Sequence, residues 1–219
     1  LSGIVVTAVL SATAASALTY QNVSEGYSPA DKTCDYLHRT FPDITSFSNQ
    51  SSYIVDNTSK IMNLHANQDS SLLFLLDFWS AASVLNPACV FAPSGAEDLA
   101  IAVKALKYYG SPFAIRGGGH MPIGDSNNIN STGVLLSSSG FKRLALSPDS
   151  STLHVGPGNH WGDVYNFLNN TGKSIVGGRL GVVGIPGFIT GGGISFFSWK
   201  YGWSSANIAS VTVCLTVKC

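Results

Sequence analysis

Within its 219 residues the chain sets 12 Lys+Arg against 12 Asp+Glu, a formal net charge of zero, and only 11% of its side chains are charged against 45% hydrophobic. Such a balance argues against a nucleic-acid binder, which would show a basic face, and gives no reason to expect an anionic membrane surface as partner. The length suffices for one large domain or two small ones with a real core.

At the amino terminus a short apolar run is followed by small residues. Ala15-Ser16-Ala17 fits the small-x-small rule of signal peptidase, which predicts a leader over 1–17, cleavage after Ala17 and secretion. A buried amino-terminal strand or helix is the alternative. No apolar run reaches the roughly 18 residues of a membrane span. Five Asn-x-Ser/Thr sequons, at Asn22, Asn49, Asn57, Asn130 and Asn169, fit a glycosylated surface on a secreted chain. In an oxidising compartment Cys34 and Cys89 are the natural disulfide pair, leaving Cys214 and Cys219 at the far end. None of the four cysteines has zinc spacing, so no metal site is expected.

Residues 18–58 read as a short helix and loops around Cys34. Cys89 to Ala92 is a short buried strand ended by Pro93. Ser94 with Glu97 predicts a capping box, and Leu99, Ala102, Val103 and Leu106 mark the apolar face of a helix ending at Gly110. "PFAIRGGGH" is a strand running into a glycine loop. "GVLLSSSGFKRLALSPDSSTLHVGPG" holds two or three strands broken at Gly140 and at Pro148-Asp149-Ser150. "NHWGDVYNFLNNTG" is a helix capped by Asn159 or Asp163, with Trp161, Val164, Tyr165 and Leu168 facing the core and Gly172 stopping it. A glycine-rich segment and a final strand follow. The alternation of strands, helices and glycine loops indicates an α+β or α/β fold.

Two glycine loops carry the chemistry. Gly117, Gly118 and Gly119 follow a strand, where consecutive N–H groups can meet an anion such as a pyrophosphate, with Arg116 at the mouth as a charge partner. Gly184, Gly187 and Gly191 to Gly193 form the second loop. The pattern is neither G-x-G-x-x-G nor a Walker A motif. Two such loops suit a long ligand gripped at two points, such as a dinucleotide; two tight turns are the alternative.

Three segments, "PFAIRGGGHMPIGDSNNIN", "HWGDVY" and "VGGRLGVVGIPGFITGGGISFFSWKYGWSSANI", resemble the PCMH-type FAD-binding domain of the vanillyl-alcohol oxidase superfamily, and more narrowly the fungal berberine-bridge-enzyme-like oxidases. The resemblance runs from about Phe78 to Val213. It implies an α+β domain of two α/β subdomains over 85–219, after an amino-terminal helical and loop segment over 18–84. It implies FAD bound covalently from His120 to the flavin 8α-methyl carbon, with Met121 beside it in the loop. A neutral imidazole is a competent nucleophile for that bond. Gly181, Gly184, Gly187, Thr190, Gly191 and Gly192 would line the isoalloxazine and pyrophosphate, and Ile208 the adenine end. Many members attach the flavin a second time through a cysteine; its position here is Leu180, which cannot form a thioether, so a single attachment is expected. His38, His65, His154 and His160 carry no such context and read as ordinary.

Family members have about twice this length, their second half being a substrate domain that carries the general base. The chain is therefore expected to be a truncated FAD-binding domain with no nominated base, exposing an apolar face. Residues 59–77 also depart from the family and read as an insertion; unspliced introns are the expected source of both this segment and the abrupt tail. The implied function is an oxidase moving hydride from an alcohol, sugar hemiacetal or amine C–H to FAD and then to O2. Its substrate would be a small molecule, a carbohydrate or a secondary metabolite, with no nucleic acid or membrane as partner. An inactive FAD-binding fragment and a secreted binding module reusing the fold are the alternatives.

Overall fold

The computed structural model describes residues 4–6, 26–53 and 80–214. The region read as an insertion, 59–77, and the sequons at Asn22 and Asn57 lie outside the described residues. Asn49, Asn130 and Asn169 are all exposed.

The described chain builds two small sheets, each with its own helices. The first has the order β2-β3-β5-β4. Its strands are β2 (Thr45–Ser46), β3 (Cys89–Phe91), β4 (Phe113–Arg116) and β5 (Val134–Ser137). β2 is antiparallel to β3, while β3, β5 and β4 run parallel, with Phe91 and Ile115 both opposite Leu136. Helices α1 (Pro29–Thr40) and α2 (Ala96–Tyr109) pack on this sheet. Cys34 and Leu37 of α1, Ala102 and Leu106 of α2, and Cys89, Phe91, Val134 and Leu136 of the strands make one core. The expected Cys34–Cys89 disulfide lies inside it and ties α1 to β3.

Local chemistry explains these helices. Ser28 caps α1: its Oγ accepts from the Asp31 N–H at 3.1 Å, and the Asp31 carboxylate accepts from the Ser28 N–H at 3.1 Å. α2 buries Ala102, Val103 and Leu106, with Leu99 half-buried, as the periodicity predicts. It ends at Gly110, whose φ of +65° is the left-handed conformation glycine adopts freely. The expected Ser94–Glu97 capping box does not form. The helix starts at Ala96, Gly95 takes the cap position without a side-chain hydrogen bond, and Ser94 stands one residue outside. Glu97 and Asp98 in the first turn still favour the positive end of the helix dipole.

The second sheet has the order β6-β7-β1-β8, with β6 (Leu144–Leu146), β7 (Leu153–Val155), β1 (Ile4–Val6) and β8 (Ile208–Val211). β6 and β7 form an antiparallel pair, and β1 lies parallel between β7 and β8. β1 falls inside the segment read as a leader, and a strand is the alternative that reading left open. Helices α3 (Trp161–Leu168) and α4 (Ile185–Thr190) supply most of the second core, in which Trp161, Val164, Leu168, Ile185 and Ile189 pack with Leu153 and Val155.

Of the two expected caps of α3, Asp163 contributes through a capping box and Asn159 does not. His160 occupies the cap position, and the Asp163 carboxylate accepts its backbone N–H at 2.8 Å. Asn159 instead turns its amide to the Gly156 and Arg143 carbonyls. Tyr165 is half-exposed rather than buried; its ring stacks on Trp161 and its hydroxyl donates to the Gly178 carbonyl. The helix stops at Leu168, and the chain reverses through Asn170 and Gly172, both at positive φ. The glycine-rich segment, read as loop, contains α4 and a single turn of helix, α5 (Ser198–Tyr201).

Candidate cofactor-binding site

The parallel strands β3, β4 and β5 all point their carboxyl ends to one place, the position where open α/β sheets bind ligands. Pro93 follows β3, Gly117 follows β4 and Ser138 follows β5, and all three line a cavity of about 500 Å3. The opposite wall comes from the second sheet's unit: Phe141, Pro157, Val183, Gly184, Pro186 and Phe188. Most of the lining is apolar, with a few polar groups set into it, the usual make-up of a cofactor cleft.

The structure brings together Arg116, Gly117, Gly118, Gly119, His120, Met121, Gly184, Gly187 and Thr190 on this wall. The two glycine loops, about 70 residues apart in sequence, are in direct contact. A Cβ built on Gly118 would stand 2.4 Å from Gly184 Cα, and one on Gly117 would stand 2.7 Å from Pro186 Cγ. Hence the first loop is glycine partly because the second loop occupies the space a side chain would need. Gly119 adds a φ of +67°, which turns the chain toward His120.

Gly181, Gly191, Gly192 and Ile208 lie off the cavity wall. Gly181 packs against Gly162, its carbonyl accepting the Gly162 N–H at 2.9 Å. Gly191 ends α4, and Gly192, at φ +93°, abuts the Trp203 ring. Ile208 opens β8 and packs on the second core. Leu180 is 56% exposed and also lies off this wall.

Among the described residues, two titratable groups line the cavity. Arg116 is 2% exposed and donates from Nη2 to Ser137 Oγ at 2.7 Å, its partner in the β4–β5 register. This bond holds a buried guanidinium at the cavity wall, where an anionic ligand lowers the cost of keeping the charge out of water. His120 is half-buried. Burial is the main cause that brings its imidazole below the ordinary value of 6.5; a hydrogen bond to its own backbone opposes this, and His160 nearby lowers it further. Burial thereby favours the neutral ring. His160, read as ordinary, thus has a place behind the loop, where its Cδ2 would lie 3.1 Å from a Cβ on Gly118.

Sequence reasoning missed the residues that hold the loop after His120. Ser83, buried in a 3-10 turn over Ala81–Ser83, donates from Oγ to the carbonyls of Met121 at 3.2 Å and Ile123 at 3.4 Å. Asn128 donates from Nδ2 to the carbonyls of Ser83 at 2.9 Å and Leu85 at 3.2 Å. Both clamps join segments about forty residues apart, and no local pattern marks them. Among the described residues no cluster of His, Cys, Asp and Glu could hold a metal ion.

Residues 87–217 match the family described as FAD binding domain. The chain is 41% identical over 136 residues to bifunctional solanapyrone synthase of Alternaria solani, covering 62% of this chain and 26% of that protein. It is 34% identical over 183 residues to an FAD-dependent monooxygenase of Penicillium roqueforti, covering 83% of this chain and 32% of the other. Among solved structures, the Physcomitrella patens BBE-like 1 wild-type protein is 26% identical with a TM-score of 0.60, over 78% of this chain and 33% of that one. Berberine bridge enzyme in complex with (S)-reticuline, at 19% identity, shares the fold with a TM-score of 0.64, over 84% of this chain and 35% of that one. The matched part of the chain spans about a quarter to a third of the length of these relatives. The cavity is compatible with the cofactor that this family's domain binds: a cleft between two sheets, with glycine backbone on both walls and a buried arginine in its lining. The expected α+β architecture, of the PCMH-type FAD-binding kind, is therefore the observed one, and the chain belongs to the FAD-binding-domain family of FAD-linked oxidoreductases, with berberine-bridge-enzyme-like proteins among its structural neighbours.

Proposed function

We propose that this chain is the FAD-binding part of a secreted FAD-linked oxidase, with the flavin held covalently by His120 alone. The observation that carries the reading is the position of His120, a neutral half-buried imidazole at the end of a glycine loop on the cavity wall. Neutrality makes it a nucleophile, and the clamps from Ser83 and Asn128 hold the loop that presents it. Arg116 and the glycine backbones of both loops would hold the pyrophosphate. Leu180 has no thiol, which supports a single bond. FAD held there would supply a hydride acceptor for an alcohol, hemiacetal or amine C–H and a route for the electrons to O2. Among the described residues the cavity lining holds no carboxylate and no tyrosine, so none of them is nominated as the general base for that step.

His120→Ala tests the assignment. The wild-type chain should keep a yellow colour through acid precipitation, and the variant should release any bound flavin to the supernatant. Flavin that remains covalent in the variant would rule His120 out. A lining without a base among the described residues supports a second reading, a flavin-binding fragment without turnover; a yellow chain producing no peroxide from any alcohol, sugar or amine offered would support it.

Secretion and glycosylation belong to the same proposal. Asn49, Asn130 and Asn169 are exposed, as acceptors must be. Protein made in a eukaryotic host should begin at Leu18 and lose mass on glycosidase treatment. An intact leader would instead leave β1 in the second sheet. The substrate is proposed to be a small molecule, a carbohydrate or a secondary metabolite.

A further inference from the structure

Asn127 stands out among the polar groups of the cavity. It is 7% exposed and lines the wall, yet neither its Oδ1 nor its Nδ2 has a hydrogen-bond partner, and both atoms are shielded from solvent. A buried amide without partners forfeits its hydration and recovers nothing. Its neighbours behave differently. Ser126 Oγ donates to the Ile123 carbonyl at 2.8 Å, and Asn128 uses its amide fully, Nδ2 on Ser83 and Leu85 and Oδ1 on the Ile129 N–H at 2.9 Å.

Nor can the loop shift to find Asn127 a protein partner. Ser83 ties the carbonyls of Met121 and Ile123, and a Cβ on Gly124 would stand 2.5 Å from the Ala82 carbonyl oxygen. The loop is thus held before Asn127 at Met121, Ile123 and Gly124, and after it by the Asn128 amide on Ser83, while the Asn127 amide itself is unused. Asn127 lines the cavity, so a ligand seated there lies beside this amide.

We propose that the Asn127 amide is a recognition group for the nucleotide cofactor, hydrogen-bonding to an edge that offers a donor beside an acceptor. FAD has two such edges: N3–H with C4=O on the isoalloxazine, and the amino group with a ring nitrogen on adenine. A primary amide complements either with a paired acceptor and donor. The inference rests on the FAD reading of this cavity and adds a residue to it that neither the glycine pattern nor the family resemblance assigns. A trapped water is the competing partner.

The test uses the full 219-residue chain carrying His120→Ala, so that binding is reversible, with FAD titrated by the change in flavin fluorescence. Asn127→Leu and Asn127→Ala should each weaken FAD about tenfold, ~1.4 kcal/mol. The melting temperature of the cofactor-free Asn127→Leu chain should hold or rise, because an unpartnered amide has been removed. Loss of FMN affinity assigns the amide to the isoalloxazine edge, and loss of ADP affinity to adenine. Unchanged FAD affinity in either variant overturns the proposal, as does a fall in melting temperature in both, which would make the amide a structural group. If neither the parent nor the wild-type chain binds FAD, the reading of the cavity fails and this inference with it. Tight binding by the parent and both variants removes the inference alone.

Discussion

Gly118 and Gly187 both line the cavity and are glycine for different reasons. A side chain on Gly118 would collide with the Gly184 backbone, which cannot yield, whereas a Cβ on Gly187 meets nothing within 4 Å. Gly118→Ala should therefore destabilise the chain by about 1–3 kcal/mol, read as a lower urea midpoint. Gly187→Ala sits inside α4 and should hold or raise stability by about 0.5–1 kcal/mol. Any loss it causes should appear in FAD binding alone. His120 supplies a pH prediction. Its lowered pKa keeps the imidazole neutral below the ordinary midpoint, so the rate of covalent flavin attachment should rise with pH to a plateau, with a midpoint under 6.5. A midpoint above 6.5 would mean that the ring is not buried as described. The motif "RGGGH" was legible at this scale because its residues are adjacent. Asn127 and Asn128 were not, because identical side chains side by side acquire opposite roles only through what Ser83 and the cavity place around them.

Helices and strands of the first sheet follow their local signals closely. The Leu99–Leu106 stripe, the stop at Gly110 and the strand before the glycines all appear where hydrophobic periodicity and turn chemistry put them. In α2 and α3 the starts differ from the local signals. Gly95 and His160 cap α2 and α3 although neither heads a preferred list, because the preceding strand or turn sets where the helix can begin. Two predictions belong here. Replacing Cys34 and Cys89 together by Ser should cost about 2–4 kcal/mol in chemical denaturation, since the bridge closes a separation of 55 residues and ties α1 to the sheet. Ser28→Ala should cost about 1 kcal/mol, by loss of the α1 cap.

On the scale of the whole molecule, the segment after the second glycine loop carries a large exposed apolar surface. Phe196 is 72% exposed and Trp199 85%, with Ile194, Phe197 and Trp203 also open; Arg179 lies over the Phe196 ring at 6.0 Å. Such a surface is larger in character than the scattered apolar residues of an ordinary soluble face. The chain should self-associate at micromolar concentration, and Phe196→Ser with Trp199→Ser should shift its light-scattering mass toward the monomer while leaving FAD affinity unchanged. Unaltered association in the double variant would place the contact elsewhere.

What the sequence determined by itself is what adjacent residues decide: the amphipathic helices, the short strands, the Cys34–Cys89 pairing, the histidine loop and, through several ordered motifs, the family. What only the tertiary structure decided is which distant residues meet. Gly118 is glycine because Gly184 lies against it, Gly181 and Ile208 serve packing away from the cavity wall, and Ser83 reaches across to hold the loop behind His120. Helix and strand signals repeat every few residues and can be read along the chain, whereas a contact between two loops leaves no local periodicity to read.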